Sequence, residues 1–213
     1  ISLINAIFIA ISFLIASLTI AIYLNNMFST IVLLYIFLNF AYSLKIKNII
    51  LIDIFVLSSF YVIRVIAGGF ASQTYTSYWL LLFCFFFFVF LANIKRITEL
   101  RKINNNSLLK KVGREYKVSN LKILNQLNIF SIFTSIMILF VYFFYDRSMM
   151  LYNKSSLSLL IIFILFLWIL HISKKANNGS LSSDPIVFAL KDKVSWLCFL
   201  LIFILTVTQM QIW

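Results

Sequence analysis

Residues 78–96 read YWLLLFCFFFFVFLANIKR, in which an uncharged and mostly apolar run, residues 78–94, is followed by a lysine and an arginine. Roughly 17 to 25 apolar residues in a helix cross the hydrocarbon core of a bilayer. Backbone groups in lipid have no water to bond, so a lone segment must satisfy them as a helix. We therefore predict a transmembrane helix over residues 78–94.

The same pattern recurs along the chain. Of the 213 residues, 63% are hydrophobic and 11% are charged, against roughly 25% charged residues in a soluble domain. The predicted fold class is an all-α, polytopic transmembrane helical bundle, with residues 1–213 forming a single domain. Its seven predicted spans are residues 3–24, 27–42, 50–67, 78–94, 123–145, 156–172 and 194–213.

Basic and nearly neutral connections alternate between these spans. Residues 25–26 and 68–77 carry no charge, whereas Lys45 and Lys47 follow the second span and Lys174, Lys175, Lys191 and Lys193 precede the last. Cytoplasmic loops of membrane proteins are rich in Lys and Arg. This bias accounts for the net charge of +12, and we predict no nucleic-acid partner. The most basic connection, residues 95–122, holds Lys95, Arg96, Arg101, Lys102, Lys110, Lys111, Arg114, Lys117 and Lys122.

Two charged residues fall within the third predicted span. Asp53 and Arg64 are eleven residues apart, which places them on one stripe of a helix, about 16 Å apart. Intramembrane charge commonly marks a functional cavity. The alternative is that both residues stand at span ends, with Arg64 extending its charge to the interface.

Two basic clusters flank predicted spans. Lys95, Arg96 and Glu99 follow the fourth span, where the cations would suit phosphate and the carboxylate a metal. Tyr42, Lys45 and Lys47, which close the second span, are also able to hold a phosphate. Ordinary basic flanking is the alternative in both places. His171, the only histidine, lacks a partner at metal-ligand spacing, so we expect an interfacial residue.

Taken together, these segments resemble the polyprenyl-phosphate (decaprenyl-phosphate) phosphoribosyltransferase branch of the UbiA-type intramembrane prenyltransferases. The branch pattern YSLKLK…D…LRAIAGG is similar to residues 41–69 here, and KRR-EL is similar to residues 95–100. Weaker counterparts follow in the same order. These are Tyr116 with residues 124–126 (LNQ), then Asp184-Pro185, then residues 191–193 (KDK).

The resemblance implies a nine-helix bundle around a cavity open to the cytoplasm and to the bilayer. Residue 1 then lies near the family's third helix, and the chain is expected to be incomplete at its N-terminus. The absent segment would carry most of the family's Mg²⁺ ligands, so this chain alone is expected to be inactive. The implied location is the bacterial inner membrane, with the active site facing the cytoplasm.

The implied reaction transfers a 5-phosphoribosyl group from 5-phosphoribosyl diphosphate to a polyprenyl phosphate, in the synthesis of cell-envelope glycan precursors. The resemblance implies that Lys45, Lys47, Lys95 and Arg96 hold phosphates, while Asp53 and Glu99 help to place Mg²⁺ or ribose hydroxyls. Glu99 is the predicted metal ligand. The other predicted substrate-binding residues are Tyr42, Arg64, facing the cavity, and Tyr116.

Other functions stay open at this point. An aromatic prenyltransferase of the same superfamily carries paired aspartates where this chain has Lys95, Arg96 and Glu99. A transporter would show paired interrupted helices, and only Gly68-Gly69 interrupts a span end here. The chain also departs from the branch at Asn125, where an acid is usual, and at Val194, in place of a proline.

Overall fold

The chain forms a bundle of α-helices in the computed structural model, which describes residues 2–105, 116–145, 155–181 and 184–210. The described residues contain no strand, which confirms the predicted all-α class. Lys110, Lys111 and Arg114 lie outside the described residues. The helices are α1 (Leu3–Leu24), α2 (Asn26–Leu44), α3 (Ile52–Ser72), α4 (Tyr78–Asn105), α5 (Leu121–Tyr145), α6 (Ser155–Asn177), α7 (Pro185–Lys191) and α8 (Lys193–Met210).

Six of the described helices, α1 to α6, are long and apolar enough to cross a membrane. Each of the seven predicted spans falls on a helix, and residues 211–213 at the end of the last lie outside the described residues. The apolar part of α8 covers only Lys193–Gln209 within the described residues. Several Ser and Thr hydroxyls on the spans bond to backbone oxygens of their own helix. For example, Ser58 Oγ donates to the Ile54 carbonyl oxygen at 2.8 Å, which satisfies the hydroxyl without water.

Side-chain caps set the helix boundaries at two turns. Asn25 ends α1 and caps α2, where its Oδ1 accepts a hydrogen bond from the Met27 amide at 2.9 Å. Asp184 caps α7 in the same way through the Ile186 amide, with Pro185 at the first helical position. A proline there loses nothing, since that amide has no partner within the helix. The helix therefore starts at Asp184-Pro185.

Helix α4 is longer than the sequence predicted. It continues from Ile94 to Asn105, so Lys95, Arg96 and Glu99 stand on a helix and not in a loop. At 1.5 Å per residue its 28 residues span about 42 Å, well beyond the roughly 30 Å of a hydrocarbon core. We call the end of the bundle that carries this extension the basic end.

Helix α3 also outlasts its predicted end at residue 67. It includes Gly68 and Gly69 and stops at Ser72, where Gln73 adopts the left-handed conformation (φ 54°). The Thr74 amide then bonds back to the Gly69 carbonyl oxygen at 3.0 Å. The chain therefore folds tightly over Gly69 as it leaves the helix.

Replacing Gly69 with alanine is expected to destabilise the protein by about 1–3 kcal/mol. A Cβ at Gly69 would lie 2.7 Å from Thr76 Cγ2, whereas nothing lies within 4 Å of a Cβ at Gly68. Gly68→Ala is the matched control and is expected to be neutral or slightly stabilising. Thermal unfolding of the two variants in one detergent checks this. Equal midpoints would contradict the proposed contact.

Helix α4 is the centre of the bundle. Phe90 and Ile94 pack with α6, while Val89, Ile97 and Leu100 pack with α3 and α5. By contrast, the described side chains of α2 include no buried residue. Because α4 contacts α3, α5 and α6 at once, its polar turn at residues 95–99 is held from several sides.

Candidate functional site

A buried guanidinium stands at the middle of the candidate site. Arg96 Nε donates to Asp53 Oδ2 at 2.9 Å, and its Nη1 donates to Glu99 Oε2 at 2.6 Å. The side chain of Asp53 is fully buried, that of Arg96 is 4% exposed, and that of Glu99 is 22% exposed. The structure thus joins the N-terminus of α3 to α4 through a charge-assisted pair, the stronger class of hydrogen bond.

Tyr116 completes the inner part of this network. Its hydroxyl donates to Asp53 Oδ1 and accepts a hydrogen bond from the Leu51 amide at 2.9 Å. Leu51 has φ 67° and ψ −41°, a strained backbone conformation for a branched residue. Burial, followed by the bond to Asp53, raises the pKa of Tyr116, so this hydroxyl stays protonated. Tyr116 therefore fixes a strained turn against a buried carboxylate.

The second span delivers three predicted site residues to the same end. Tyr42 lies near the end of α2 and contacts the Arg96 guanidinium, while its ring packs edge-on against Phe60. Lys45 caps the short 3₁₀ turn that follows, and Lys47 lies within this turn. Lys45 is exposed and Lys47 half-buried. Neither ammonium has a carboxylate partner among the described residues, so both are open to an anion.

Lys95 turns away from Arg96 and reaches α7. Its Nζ lies 2.9 Å from Asp184 Oδ2, with both side chains partly exposed. Burial raises the pKa of Asp184, but the hydrogen bonds from Lys95 and the Ile186 amide outweigh it, and the net pKa is below the ordinary value. The ion pair stands at the polar side of a cavity of ≈ 100 Å³ that Leu57 and Tyr61 also line.

Arg64 lies apart from this network, as its spacing from Asp53 predicted. Its Nε donates to the Tyr35 hydroxyl at 3.0 Å, and its guanidinium lies 5.1 Å from the centre of the Tyr61 ring. It borders a cavity of ≈ 370 Å³ between α2 and α3. No carboxylate of a described residue pairs with it, so Arg64 is stabilised here by aromatic faces and a phenol oxygen.

The carboxylates of the site do not form a magnesium site by themselves. Asp53 is fully buried between Arg96 and Tyr116, and Asp184 is bound to Lys95 and its own helix. Glu99 is 22% exposed and is bound to Arg96. Within the described residues no group of three or more Asp, Glu, His or Cys could hold a metal ion. The described residues alone do not fit Mg²⁺, so Glu99 as a ligand stays a prediction.

A polar cluster between α6 and the start of α8 was not indicated by the sequence. His171 Nε2 lies 3.2 Å from Asp192 Oδ2, and the same Asp192 oxygen accepts hydrogen bonds from the Ser195 amide and hydroxyl. Trp168 Nε1 donates to that hydroxyl at 3.0 Å. These contacts join α6 to the start of α8. The expectation that His171 is interfacial missed its carboxylate partner, which is 21 residues away in sequence.

Family comparison agrees with this architecture. The model of the UbiA prenyltransferase family matches residues 1–124, more than half of the chain. The chain belongs to the UbiA prenyltransferase family. The matched part includes α1 to α4 and therefore Tyr42, Asp53 and the Lys95–Glu99 turn. Together with its apolar helices, family membership makes the chain an integral membrane protein.

Three curated proteins that are similar to this chain have names that differ in what they say about function. An uncharacterized protein, y4nM, of Sinorhizobium fredii is 28% identical over 83% of this chain, and nodulation protein NoeC of Azorhizobium caulinodans is 27% identical over 78%. Decaprenyl-phosphate phosphoribosyltransferase of Mycolicibacterium smegmatis is 37% identical over 41% of the chain. The aligned parts are 34%, 54% and 27% of these relatives' own lengths, so the chain spans about half of them or less.

Proposed function

We propose that this chain is part of a membrane transferase that moves a 5-phosphoribosyl group from 5-phosphoribosyl diphosphate to a polyprenyl phosphate of the decaprenyl type. The observation that carries the proposal is the α4 turn, whose own residues supply two cations, Lys95 and Arg96, and one carboxylate, Glu99. Paired carboxylates would call for metal-bridged binding of a diphosphate. A cationic turn favours direct contact with phosphates. A relative that is 37% identical over 41% of the chain, a decaprenyl-phosphate phosphoribosyltransferase, supports the same assignment.

The cations of the site differ in how far their charge is already paired with carboxylates of the protein. The Arg96 charge is engaged by Asp53 and Glu99 inside the protein. Lys45 and Lys47 have no described carboxylate partner, and Lys95 is partly exposed beside Asp184. We propose that the three lysines contact phosphate groups, and that Arg96 and Asp53 act as positioning residues that hold the turn carrying them.

The chemistry required of the protein is positioning and neutralisation of charge. A phosphate oxygen of the lipid attacks C1 of the ribose, the bond from C1 to the diphosphate oxygen breaks, and diphosphate leaves with both bonding electrons. Lysines aimed at the leaving group stabilise the charge that develops on it. Holding the two substrates in line supplies much of the remaining rate enhancement. With the lipid phosphate bound at the basic end, the lipid chain would lie along the apolar faces of α2 and α3.

Two further parts belong to the proposal. Mg²⁺, if used, would be held chiefly by substrate phosphates and by residues other than the described set, as is common for this ion. The basic end would face the cytoplasm of a bacterium, at its inner membrane, because Lys and Arg accumulate there. The charged donor then enters from the cytosol and the lipid from the bilayer.

Membranes containing the complete transferase that includes this chain are expected to transfer label from radioactive 5-phosphoribosyl diphosphate into an organic-soluble lipid when decaprenyl phosphate is added. Membranes from the same host without the protein are the control. A labelled prenyl diphosphate with a hydroxylated aromatic acid tests the alternative activity in parallel. Label in a prenylated aromatic product, with none in lipid-linked phosphoribose, would overturn the proposal.

A further inference from the structure

Helices α5 and α6 form a groove whose part near the basic end is polar. A cavity of ≈ 180 Å³ there is lined by Asn125, Asn128, Ser173 and Asn177, among apolar neighbours. Asn128 is 3% exposed, and its Nδ2 donates to Ser173 Oγ at 2.8 Å. No described residue donates a hydrogen bond to Oδ1 of Asn125 or of Asn128, and both oxygens are shielded from the surface. Buried carbonyl oxygens require donors, so two residues that line this cavity carry acceptors for which the described residues supply no donor.

The groove continues into an apolar part. A cavity of ≈ 680 Å³ is lined by Ile136, Leu160 and Phe163, and it shares Phe166 with the polar cavity. Between Asn125 and Ile136 the helical rise gives the groove a length of about 16 Å. Ile129 and Phe133 leave 57% and 62% of their surface exposed along it. The groove is thus polar at one end and suited to a hydrocarbon chain over the rest.

The polar part is bordered by positive charge. Lys122 precedes Asn125 by three residues, and Lys174 precedes Asn177 by three, so each is a neighbour on its helix surface. Arg101 donates hydrogen bonds to the backbone oxygen and to Oδ1 of Asn177. No carboxylate lines either cavity. The charge complements an anion, and the two amide oxygens complement a hydroxyl donor.

We propose that the α5–α6 groove binds an anionic glycerophospholipid with a hydroxylated headgroup, of which phosphatidylglycerol is the simplest. Its headgroup hydroxyls donate to Asn125 and Asn128, its phosphate faces Lys122 and Lys174, and an acyl chain lies along Phe166. A polyprenyl phosphate has no alcohol hydroxyl in its headgroup, and its phosphate is mostly the dianion near neutral pH, so it offers the amide oxygens few donors. The site shares no described residue with the Arg96 network and does not depend on the activity proposed above.

The test is native mass spectrometry of the purified protein after exchange into nanodiscs of phosphatidylcholine containing phosphatidylglycerol and phosphatidylethanolamine at equal fractions. The protein is expected to retain phosphatidylglycerol several-fold over its share of the bilayer. Ile129→Trp, at a mostly exposed rim position, fills the groove and is expected to abolish this preference. Asn128→Leu is expected to do the same by removing an acceptor. Gln126→Leu, an exposed amide on the same helix, is the matched control and is expected to retain the lipid.

Several results would overturn the proposal. One is equal retention of phosphatidylglycerol and phosphatidylcholine by the unmodified protein, and another is unchanged retention in Ile129→Trp. Equal retention of phosphatidylethanolamine would contradict the anionic assignment. Displacement of phosphatidylglycerol by added decaprenyl phosphate would assign the groove to that lipid instead. If Asn128→Leu fails to fold, Ile129→Trp still decides, because its side chain has no core contact to lose.

Discussion

Replacing Arg96 with methionine is expected to lower the free energy of unfolding by about 3–5 kcal/mol, since it removes the guanidinium that compensates the buried Asp53 carboxylate. Asp53 is fully buried, and the remaining contact to its side chain that the structure details comes from the Tyr116 hydroxyl. One neutral donor does not replace a guanidinium. The loss should also release the strained Leu51 turn at the start of α3. The measurement is the midpoint of thermal unfolding in detergent.

Two further variants separate the effect of charge from that of lost packing. Adding Asp53→Asn to Arg96→Met removes the uncompensated charge, and the double variant is expected to recover much of the stability. Arg101→Met is the matched control on the same helix. Arg101 binds an amide oxygen and a backbone oxygen of Asn177, so its loss should cost about 1–3 kcal/mol. If Arg96→Met and Arg101→Met unfold at the same temperature, the buried pair has no special role.

The helices were predictable because a single physical requirement dominates them. Backbone in a bilayer must satisfy its own hydrogen bonds, so each apolar run became a helix and the start of α1 at Leu3 was placed correctly. The helix ends on the basic side of the bundle were not placed correctly. Hydropathy stops at Ile94, but α4 continues to Asn105 because Ile97 and Leu100 pack into the core. Tertiary packing extended the helix beyond the signal that identified it.

The site was predictable as a set of residues and not as a set of pairs. Intramembrane charge pointed to Asp53 and Arg64, and the basic cluster after the fourth span pointed to Lys95 and Arg96. Of these, Asp53 and Arg96 meet at one end of the bundle, whereas Arg64 lies apart. The sequence grouped Lys95, Arg96 and Glu99 without assigning pairs, whereas in the structure Arg96 binds Glu99 and Lys95 binds Asp184. Lys95 and Asp184 are 89 residues apart in the sequence. Periodicity describes one helix at a time, so it carries no information on contacts between α4 and α7.

Lys95→Ala is expected to lower kcat/KM for 5-phosphoribosyl diphosphate by about 10²- to 10³-fold, the usual effect of losing one donor that stabilises developing charge. The loss should fall on donor use and leave the stability of the protein nearly unchanged, because the ion pair with Asp184 is partly exposed and such pairs contribute about 0–1 kcal/mol. Lys102→Ala is the matched control. It removes the same charge from α4 two turns further on, and turnover should stay near that of the unmodified protein.

Asp184→Asn separates phosphate binding by Lys95 from a tether between α4 and α7. Asparagine still caps α7, so the helix start should remain, but the carboxylate that competes for Lys95 is gone. If Lys95 contacts phosphate, this variant should hold the donor as tightly as before or more tightly, with an unchanged or lower KM. If the ion pair is only a tether, Asp184→Asn should reduce turnover as much as Lys95→Ala. Steady-state kinetics of the two variants on one membrane preparation therefore give opposite results under the two roles, and equal losses would contradict the assignment of Lys95 to the donor.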